Sequence, residues 1–149
     1  MAGRPASPDH GRMHTLARTW IDDVLAGSPV TRALGIEVVA AAPEEVTLRL
    51  AFRHDLTTVP GVLHGGVVAT LVDVAGAAAS ASGLTPGDAA TGGATTQLDV
   101  SYAGAAGSDL TATATVLRRT RSATHSQVVV RDLDGEVVAL AQVTSRIFH

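Results

Sequence analysis

The chain of 149 residues is long enough for one hydrophobic core but not for two. Its net charge of −3 provides no basic surface of the kind that binds nucleic acid, and the absence of cysteine excludes disulfides, thiolate catalysis and cysteine-based zinc sites. Residues 1–14 contain no apolar segment typical of a secretory signal, and glycine and proline interrupt the longest uncharged stretches. We therefore expect a cytoplasmic protein without a membrane-spanning helix.

The N-terminal part of the chain predicts a tail followed by a helix. We expect residues 1–13 to form a flexible tail and residues 14–149 to form a single domain. Behind the tail, apolar residues recur at the spacing of one helical face, at Leu16, Trp20, Ile21 and Val24. Gly-Ser-Pro at 27–29 ends this helix, and Ser28 can cap a second short helical turn over 29–34.

The middle of the chain predicts a hairpin and a long helix. Two apolar runs, 36–41 and 46–52, flank a turn at 43–45 and indicate a β-hairpin. A loop over 53–63 leads into a helix over about 65–82. This helix has no continuous polar face, and a helix that is apolar all round is typical of one buried in a core.

The rest of the chain predicts four strands. Residues 110–119 alternate between two faces with the period of a strand, and Asp134-Gly135 indicates the last hairpin. An antiparallel sheet that covers one long helix accounts for this order of elements. We therefore predict an α+β fold, in which an antiparallel meander wraps around a buried central helix with an N-terminal helix beside it. The four strands are expected over 94–103, 110–119, 125–132 and 136–148.

One carboxylate, Asp73, lies inside this apolar helix, two turns after the His64-Gly65-Gly66 turn that opens it. Burying an unpaired charge costs several kcal/mol or more, so Asp73 is a candidate functional residue. Glycine permits close backbone approach, and a helix N-terminus presents free N–H groups at a positive end. A carboxylate and an oxyanion donor are two of the parts needed to cleave an activated carbonyl. The alternative for Asp73 is an exposed or ion-paired structural carboxylate.

The spacing of these two groups constrains the site. Gly65 and Asp73 are eight residues apart, which places their backbones about 12 Å apart on a straight helix. One carbonyl carbon can hardly meet both groups of the same helix. Two antiparallel helices, one from each subunit of a twofold dimer, would bring Gly65 and Asp73 together in two equivalent sites.

The run Gly61-Val62-Leu63-His64-Gly65-Gly66, followed by Thr70-Leu71-Val72-Asp73, resembles the signature of the phenylacetate-type (PaaI-like, 4-hydroxybenzoyl-CoA thioesterase-like) acyl-CoA thioesterases. The resemblance extends over about 34–148. It implies the hotdog fold and hydrolysis of an acyl-CoA thioester to a free acid and CoA. In that case Asp73 is the base or nucleophile, and the Gly65 N–H holds the thioester oxygen. It also implies a homodimer at least, and we expect a homotetramer.

Three further residues carry over from the family's pattern. The family has Asn or Gln six residues before His64, where this chain has Thr58, with Thr57 as a substitute if the loop shifts by one residue. Thr95 lies on the strand after the helix, where the family has a Ser or Thr that assists the carboxylate. His64 either orients the turn or contacts the thioester.

The densest basic group comprises Arg118, Arg119 and Arg121. Arginine suits bidentate contact with anions, and the resemblance implies that this turn, together with Gly66, contacts the CoA moiety. The alternative is a solvated hairpin end. The histidines show no metal-ligand spacing, and we expect neither a metal nor another cofactor.

Two other functions remain open. The loss of the amide at Thr58 allows a non-catalytic acyl-CoA binding module. A hotdog hydratase or dehydratase is the enzymatic alternative, although its motif is not found. A serine hydrolase is disfavoured because no G-x-S-x-G elbow is present. The valines, leucines and alanines that predominate in the chain would accommodate an aromatic, a medium-chain or a branched acyl group equally well.

Overall fold

The computed structural model describes residues 11–149, so most of the predicted tail lies outside the described residues. Met13, in the predicted tail, packs against the core. Ser28 caps the second helix by accepting a hydrogen bond from the Thr31 N–H, as predicted. The main helices are α1 (Thr15–Thr19), which continues into a π-helix (Trp20–Leu25), α2 (Pro29–Leu34) and α3 (Gly65–Ser82).

The described residues also form two antiparallel sheets. The larger has six strands in the order β1-β2-β6-β7-β8-β5, and the smaller pairs β3 with β4. Together with α3 across one face of the larger sheet, this arrangement confirms the predicted hotdog architecture. The strands are β1 (Ile36–Ala42), β2 (Glu45–Leu50), β3 (Thr57–Val59), β4 (Val62–Leu63), β5 (Gly92–Tyr102), β6 (Leu110–Arg119), β7 (Ala123–Arg131) and β8 (Val137–Phe148).

The predicted meander is wrong in one respect. Strands β6, β7 and β8 follow one another as a meander, but β5 pairs with β8 at one edge, and β6 returns to pair with β2. The alternation of apolar residues in a strand shows which face is buried but not which strand is its neighbour. The strand order therefore depends on packing between elements and is not recorded in the pattern of any one strand.

The segment 53–63, predicted as a loop, has regular structure. A 3₁₀ turn over His54–Leu56 precedes a short ribbon of β3 and β4. Pro60 and Gly61 form the turn between these strands, and Gly61 has a φ of 80°. Glycine adopts this left-handed conformation without steric cost. The ribbon of β3 and β4 leads directly into the first residue of α3.

The core consists of small and branched aliphatic side chains between α3 and the sheet. The inward-facing residues of β2, such as Val46, Leu48 and Leu50, are almost fully buried. A Cβ at Gly76 would lie 2.6 Å from the side chain of Val143 on β8, so only glycine allows this close approach of helix to sheet. The small number of aromatic residues in the sequence thus agrees with the close packing of α3 on the sheet.

The burial of α3 is less complete than predicted. Its composition and length would allow it to cross a membrane, but 56% of it is buried inside the domain, as expected of a core helix. One stripe of the helix remains partly exposed in the single chain, at Gly66, Ala69, Thr70, Asp73 and Ala77. These positions share one helical face, and apart from Asp73 they carry small side chains.

Candidate active site

Asp73 lies in the partly exposed stripe of α3, opposite β5. The Thr95 hydroxyl on β5 donates a hydrogen bond to Asp73 Oδ1 over 2.6 Å. Among the described residues, no group donates to the second oxygen, Oδ2, and no arginine or histidine lies within ion-pair distance of the carboxylate. One carboxylate oxygen is thus held in place while the other is available to a proton donor outside the protein chain.

The N-terminus of α3 carries one unpaired donor. The His64 Nδ1 atom accepts a hydrogen bond from the Gly66 N–H over 2.8 Å, and the His64 carbonyl accepts from the N–H groups of Val67 and Val68. Within residues 11–149, the Gly65 N–H has no acceptor. His64 therefore acts as the helix cap, and Gly65, rather than Gly66, presents a free N–H at the positive end of the helix.

Tyr102 binds the carbonyl group of Gly65. Its hydroxyl donates to the Gly65 carbonyl oxygen over 2.7 Å, and a Cβ on Gly65 would lie 3.4 Å from the tyrosine ring. The sequence analysis did not identify this residue. The available signal was that Tyr102 is the single tyrosine of the chain and ends a strand predicted to follow the central helix.

Strand β5 runs antiparallel to α3 and makes a contact at each end of the candidate site. Thr95 binds Asp73, and Tyr102, seven residues later, binds Gly65. The same chain therefore does not bring Gly65 and Asp73 together, because two turns of helix separate them. The site contains two half-sites, one near each contact.

Each half-site lies beside a cavity of about 220 Å³. The Asp73 cavity lies between α3, β5 and the N-terminal π-helix. The Gly65 cavity lies beside Tyr102 and includes Thr58 in its lining. The structure thus groups the sequence-predicted residues in two sets, Asp73 with Thr95 and Gly65 with Thr58 and His64.

The two candidate threonines of the 53–63 segment differ in their contacts. The Thr57 hydroxyl donates to the His54 carbonyl over 2.7 Å and is committed to the 3₁₀ turn. Thr58 is exposed and lines the Gly65 cavity. Thr58, in the position where the resembled family has an amide, is therefore the better placed of the two to contact a ligand or a water molecule.

The three arginines have different environments. The Arg119 guanidinium forms an ion pair with Glu44 at 2.8 Å and donates to the Ser80 carbonyl over 2.9 Å, so it binds the last turn of α3 to the β1–β2 hairpin. Arg118 and Arg121 are exposed and make no side-chain ion pair within the described part of the chain. The expected phosphate contact thus suits Arg118 and Arg121 better than Arg119.

Comparison with known proteins gives consistent matches. The family model of the thioesterase superfamily matches residues 60–139. A protein of Halobacterium salinarum, named as a candidate esterase, is 32% identical over 143 residues, which cover 90% of this chain and 91% of that protein.

Solved structures show the same fold. A thioesterase family protein from Silicibacter pomeroyi superimposes with a TM-score of 0.81 at 24% identity, covering 89% of this chain and 98% of that one. The PaaI protein of Escherichia coli, from the phenylacetic acid degradation operon, also gives a TM-score of 0.81, at 18% identity over 93% of this chain and 97% of that one. At these identities, the superpositions establish the shared fold.

Proposed function

This chain belongs to the thioesterase superfamily, and from that premise we propose that it hydrolyses acyl-CoA thioesters to a free acid and CoA. The observation that carries the proposal is the Asp73 carboxylate, held by Thr95 through one oxygen and open through the other beside an apolar cavity. A carboxylate oriented in this way can accept the proton of an attacking water molecule.

The reaction requires an oxyanion donor that the same chain does not place near Asp73. We propose that Gly65 of the partner subunit supplies its N–H. The partly exposed stripe of α3 favours this arrangement, because Ala69 lies midway between Gly65 and Asp73 and small residues flank it. Two copies of α3 can cross antiparallel at Ala69 with close contact and bring each Asp73 near the other subunit's Gly65.

Strand β5 supports the same dimer. It is an edge strand of eleven residues, almost entirely exposed, and includes Leu98 at 40% and Tyr102 at 54% exposure. A long, exposed edge is a template for pairing with another strand. Antiparallel pairing of β5 with its own copy would join the two sheets and cover these side chains.

The register of that pairing follows from strand geometry. Directly opposite residues of an antiparallel pair point to the same face, so a twofold axis must pass through a residue and its own copy. An axis at Asp99 would set two carboxylates opposite each other, which is unfavourable. An axis at Leu98 pairs two leucines instead. Because β5 has a bulge between Thr95 and Gln97, Thr95 then lies opposite Val100 of the partner subunit, two residues from Tyr102 of the partner subunit. Since Thr95 binds Asp73 and Tyr102 binds Gly65, this register would bring Asp73 toward the partner's Gly65.

The proposed reaction begins with attack of a water molecule on the thioester carbon. Asp73 accepts a proton from water as the hydroxide oxygen bonds to the thioester carbon, and the carbonyl oxygen becomes an oxyanion bound by Gly65 of the partner subunit. The oxyanion then re-forms the carbonyl as the carbon–sulfur bond breaks, and the CoA thiolate takes up the proton held by Asp73, which leaves the free acid and restores the carboxylate. Direct attack by Asp73, with hydrolysis of the resulting anhydride, is the alternative route. The partner's Thr58 can hold a water molecule near the site, and Arg118 and Arg121 can contact CoA phosphates.

The test is the release of CoA thiol from a panel of aryl-, short- and medium-chain acyl-CoAs. We expect turnover in the wild type and a loss of about 10²- to 10⁴-fold in kcat for Asp73→Asn, the usual contribution of a positioned acid–base group. Asp134→Asn is the matched control, since Asp134 is an exposed residue of a hairpin turn where asparagine is equally favourable. Light scattering should give a dimer or a tetramer.

Three results would contradict the proposal. A loss below about threefold in folded Asp73→Asn would remove Asp73 from the mechanism. A monomer with full activity would exclude the shared site. Binding of CoA without turnover anywhere in the panel would indicate a binding module instead, in which the replacement of the family's amide by Thr58 accompanies the loss of catalysis.

A further inference from the structure

The Asp73 cavity is closed on one side by the π-helix. Trp20, Val24 and Leu25 line it from that side, opposite Asp73 and Thr95. We propose that this cavity receives the acyl group and that Trp20 sets the size of the acyl group that the enzyme accepts. The inference rests on the proposed function, because it takes Asp73 as the group at which the thioester reacts.

The π-helix explains how one short segment supplies three side chains to the same cavity. The Ala26 N–H donates to the Ile21 carbonyl over 2.8 Å, five residues back, so the turn holds one residue more than an α-helical turn. Ile21 is fully buried and anchors the segment in the core. With Ile21 fixed, Trp20 and the Val24–Leu25 pair lie on the cavity side. π-helical turns occur frequently at functional sites.

The end of the π-helix is also fixed. A Cβ at Gly27 would collide with the Asp23 carbonyl oxygen, so glycine is required for the chain to turn there. The π-helix is therefore held by Ile21 at one point and by this turn at another. A side chain that projects from such a fixed segment can act as a firm boundary of the cavity.

The lining determines the chemical class of the acyl group. Besides Trp20 it includes apolar residues such as Leu84 and Ile147. Apart from Asp73, the charged residue in the lining is Arg146, whose guanidinium lies 5.9 Å from the Phe148 ring centre. A cavity lined mainly by apolar side chains favours an uncharged, apolar acyl group, because burial of a charged group among them is costly.

The volume limits the length of the acyl group. About 220 Å³ is smaller than the roughly 300–1,000 Å³ of sites that hold drug-sized ligands. It accommodates a single ring or a branched chain of a few carbons, and Trp20 would block a long straight chain. The π-helix also lies outside the part of the chain that the family model matches, residues 60–139. We therefore assign this size limit to a segment that the family model does not include.

Trp20 provides a readout that is independent of turnover, because it is the single tryptophan of the chain. The probe is a non-hydrolysable thioether of CoA that carries a benzyl group, compared with CoA itself. We expect the benzyl thioether to change the tryptophan fluorescence in a saturable manner, and CoA to bind without that change. An equal change in fluorescence with CoA would overturn the assignment of the cavity. So would an unchanged fluorescence with the benzyl thioether when calorimetry shows that the thioether binds.

The second measurement is kcat/KM along a series of acyl-CoAs of increasing length. We expect a steep decrease in the wild type once the chain outgrows the cavity. Trp20→Leu should raise kcat/KM for the longer substrates relative to the shorter ones by about tenfold or more, the effect of a change of one or more methylene-sized volumes in an apolar pocket. Trp20→Phe, a smaller change, should give a preference between those of the wild type and Trp20→Leu. It serves as the test variant if Trp20→Leu does not fold.

A matched pair of valines supplies the control. Val24 lines the cavity, and Val30, on α2, does not, although both are exposed helical valines. Val24→Leu should shift the preference toward shorter acyl groups, whereas Val30→Leu should leave it unchanged. An unaltered preference in both Trp20→Phe and Val24→Leu would overturn the inference and leave the proposed hydrolysis intact. A fluorescence response without any turnover would support the cavity as the site of the acyl group and contradict the proposed hydrolysis.

Discussion

Tyr102 donates its hydroxyl to the carbonyl oxygen of Gly65 over 2.7 Å, on the opposite side of α3's first residue from its free N–H. The bond joins the end of β5 to the start of the central helix. It fixes the peptide plane next to the proposed oxyanion donor, so Tyr102 is a positioning residue in the proposed mechanism.

Tyr102→Phe retains the ring and removes this hydrogen bond. We expect kcat to decrease by about three- to tenfold, which corresponds to the 0.5–1.5 kcal/mol of a neutral hydrogen bond, with KM little changed. The measurement is steady-state kinetics on the best substrate of the panel, with circular dichroism to verify folding. An unchanged kcat would show that the Gly65 peptide does not depend on Tyr102.

The Gly65 N–H can be removed by a single substitution. Proline is favoured at the first position of a helix and lacks the N–H, and His64 before it already has an extended backbone, as proline requires. We expect Gly65→Pro to lower kcat by about 10²- to 10³-fold, the usual contribution of one oxyanion donor. Gly65→Ala retains the N–H and adds a Cβ close to Tyr102, and it should cost far less. Equal losses in the two variants would indicate a steric effect.

Mixing two inactive variants tests whether the site is shared. When Asp73→Asn and Gly65→Pro subunits are unfolded together and refolded as mixed dimers, each mixed dimer has one site with both groups intact and one with neither. With random assortment, half of the dimers are mixed, and we expect about one quarter of the wild-type activity. Activity that stays at the level of the separate variants would place both groups in one subunit.

The two kinds of arginine should respond differently to loss of charge. Arg119→Met removes the bonds to Glu44 and to the Ser80 carbonyl, and we expect a loss of about 1–3 kcal/mol in the free energy of unfolding with KM unchanged. Arg118→Met and Arg121→Met should leave stability unchanged and raise KM for acyl-CoA. Denaturant unfolding and steady-state kinetics separate these effects. A raised KM in a stable Arg119→Met would reverse the assignment.

Asp109 should make stability depend on acid pH. Its carboxylate accepts from the Phe52 N–H over 2.7 Å and from Arg49 over 2.6 Å, and these bonds, that of Phe52 first, lower the pKa of Asp109 below its usual 3.8. A lowered folded-state pKa contributes stability above the unfolded pKa, and this stability is lost as the pH falls through the folded-state value.

We therefore expect Asp109→Asn to lower the Tm at neutral pH. The difference from the wild type should shrink as the pH falls through the lowered folded-state pKa of Asp109, since the wild-type carboxylate then loses its charge. Thermal unfolding between neutral and strongly acid pH measures this difference in Tm. A difference that is the same at every pH would show that the charge of Asp109 does not contribute.

The sequence by itself predicted the central helix and most of the strands, and it identified Asp73 and Gly65 as candidates for the reacting groups. The apolar run without a polar face, opened by two glycines, predicted the bounds of α3, Gly65–Ser82, and the period-two alternation predicted the bounds of β6, Leu110–Arg119. Both are local patterns that depend on the repeat of the backbone alone. Asp73 and the glycines before it were visible because they interrupt such a pattern, although the structure leaves Asp73 half-buried rather than enclosed in the core.

The tertiary structure decided what depends on neighbours distant in the chain. In the folded chain, Thr95 binds Asp73 and Tyr102 binds Gly65. Arg119 binds the last turn of α3, and β5 lies at an exposed edge of the sheet. The π-helix, with Trp20, lies against the Asp73 cavity. Strand order and cavity lining arise from packing between elements, and no local repeat in a sequence records which elements pack together.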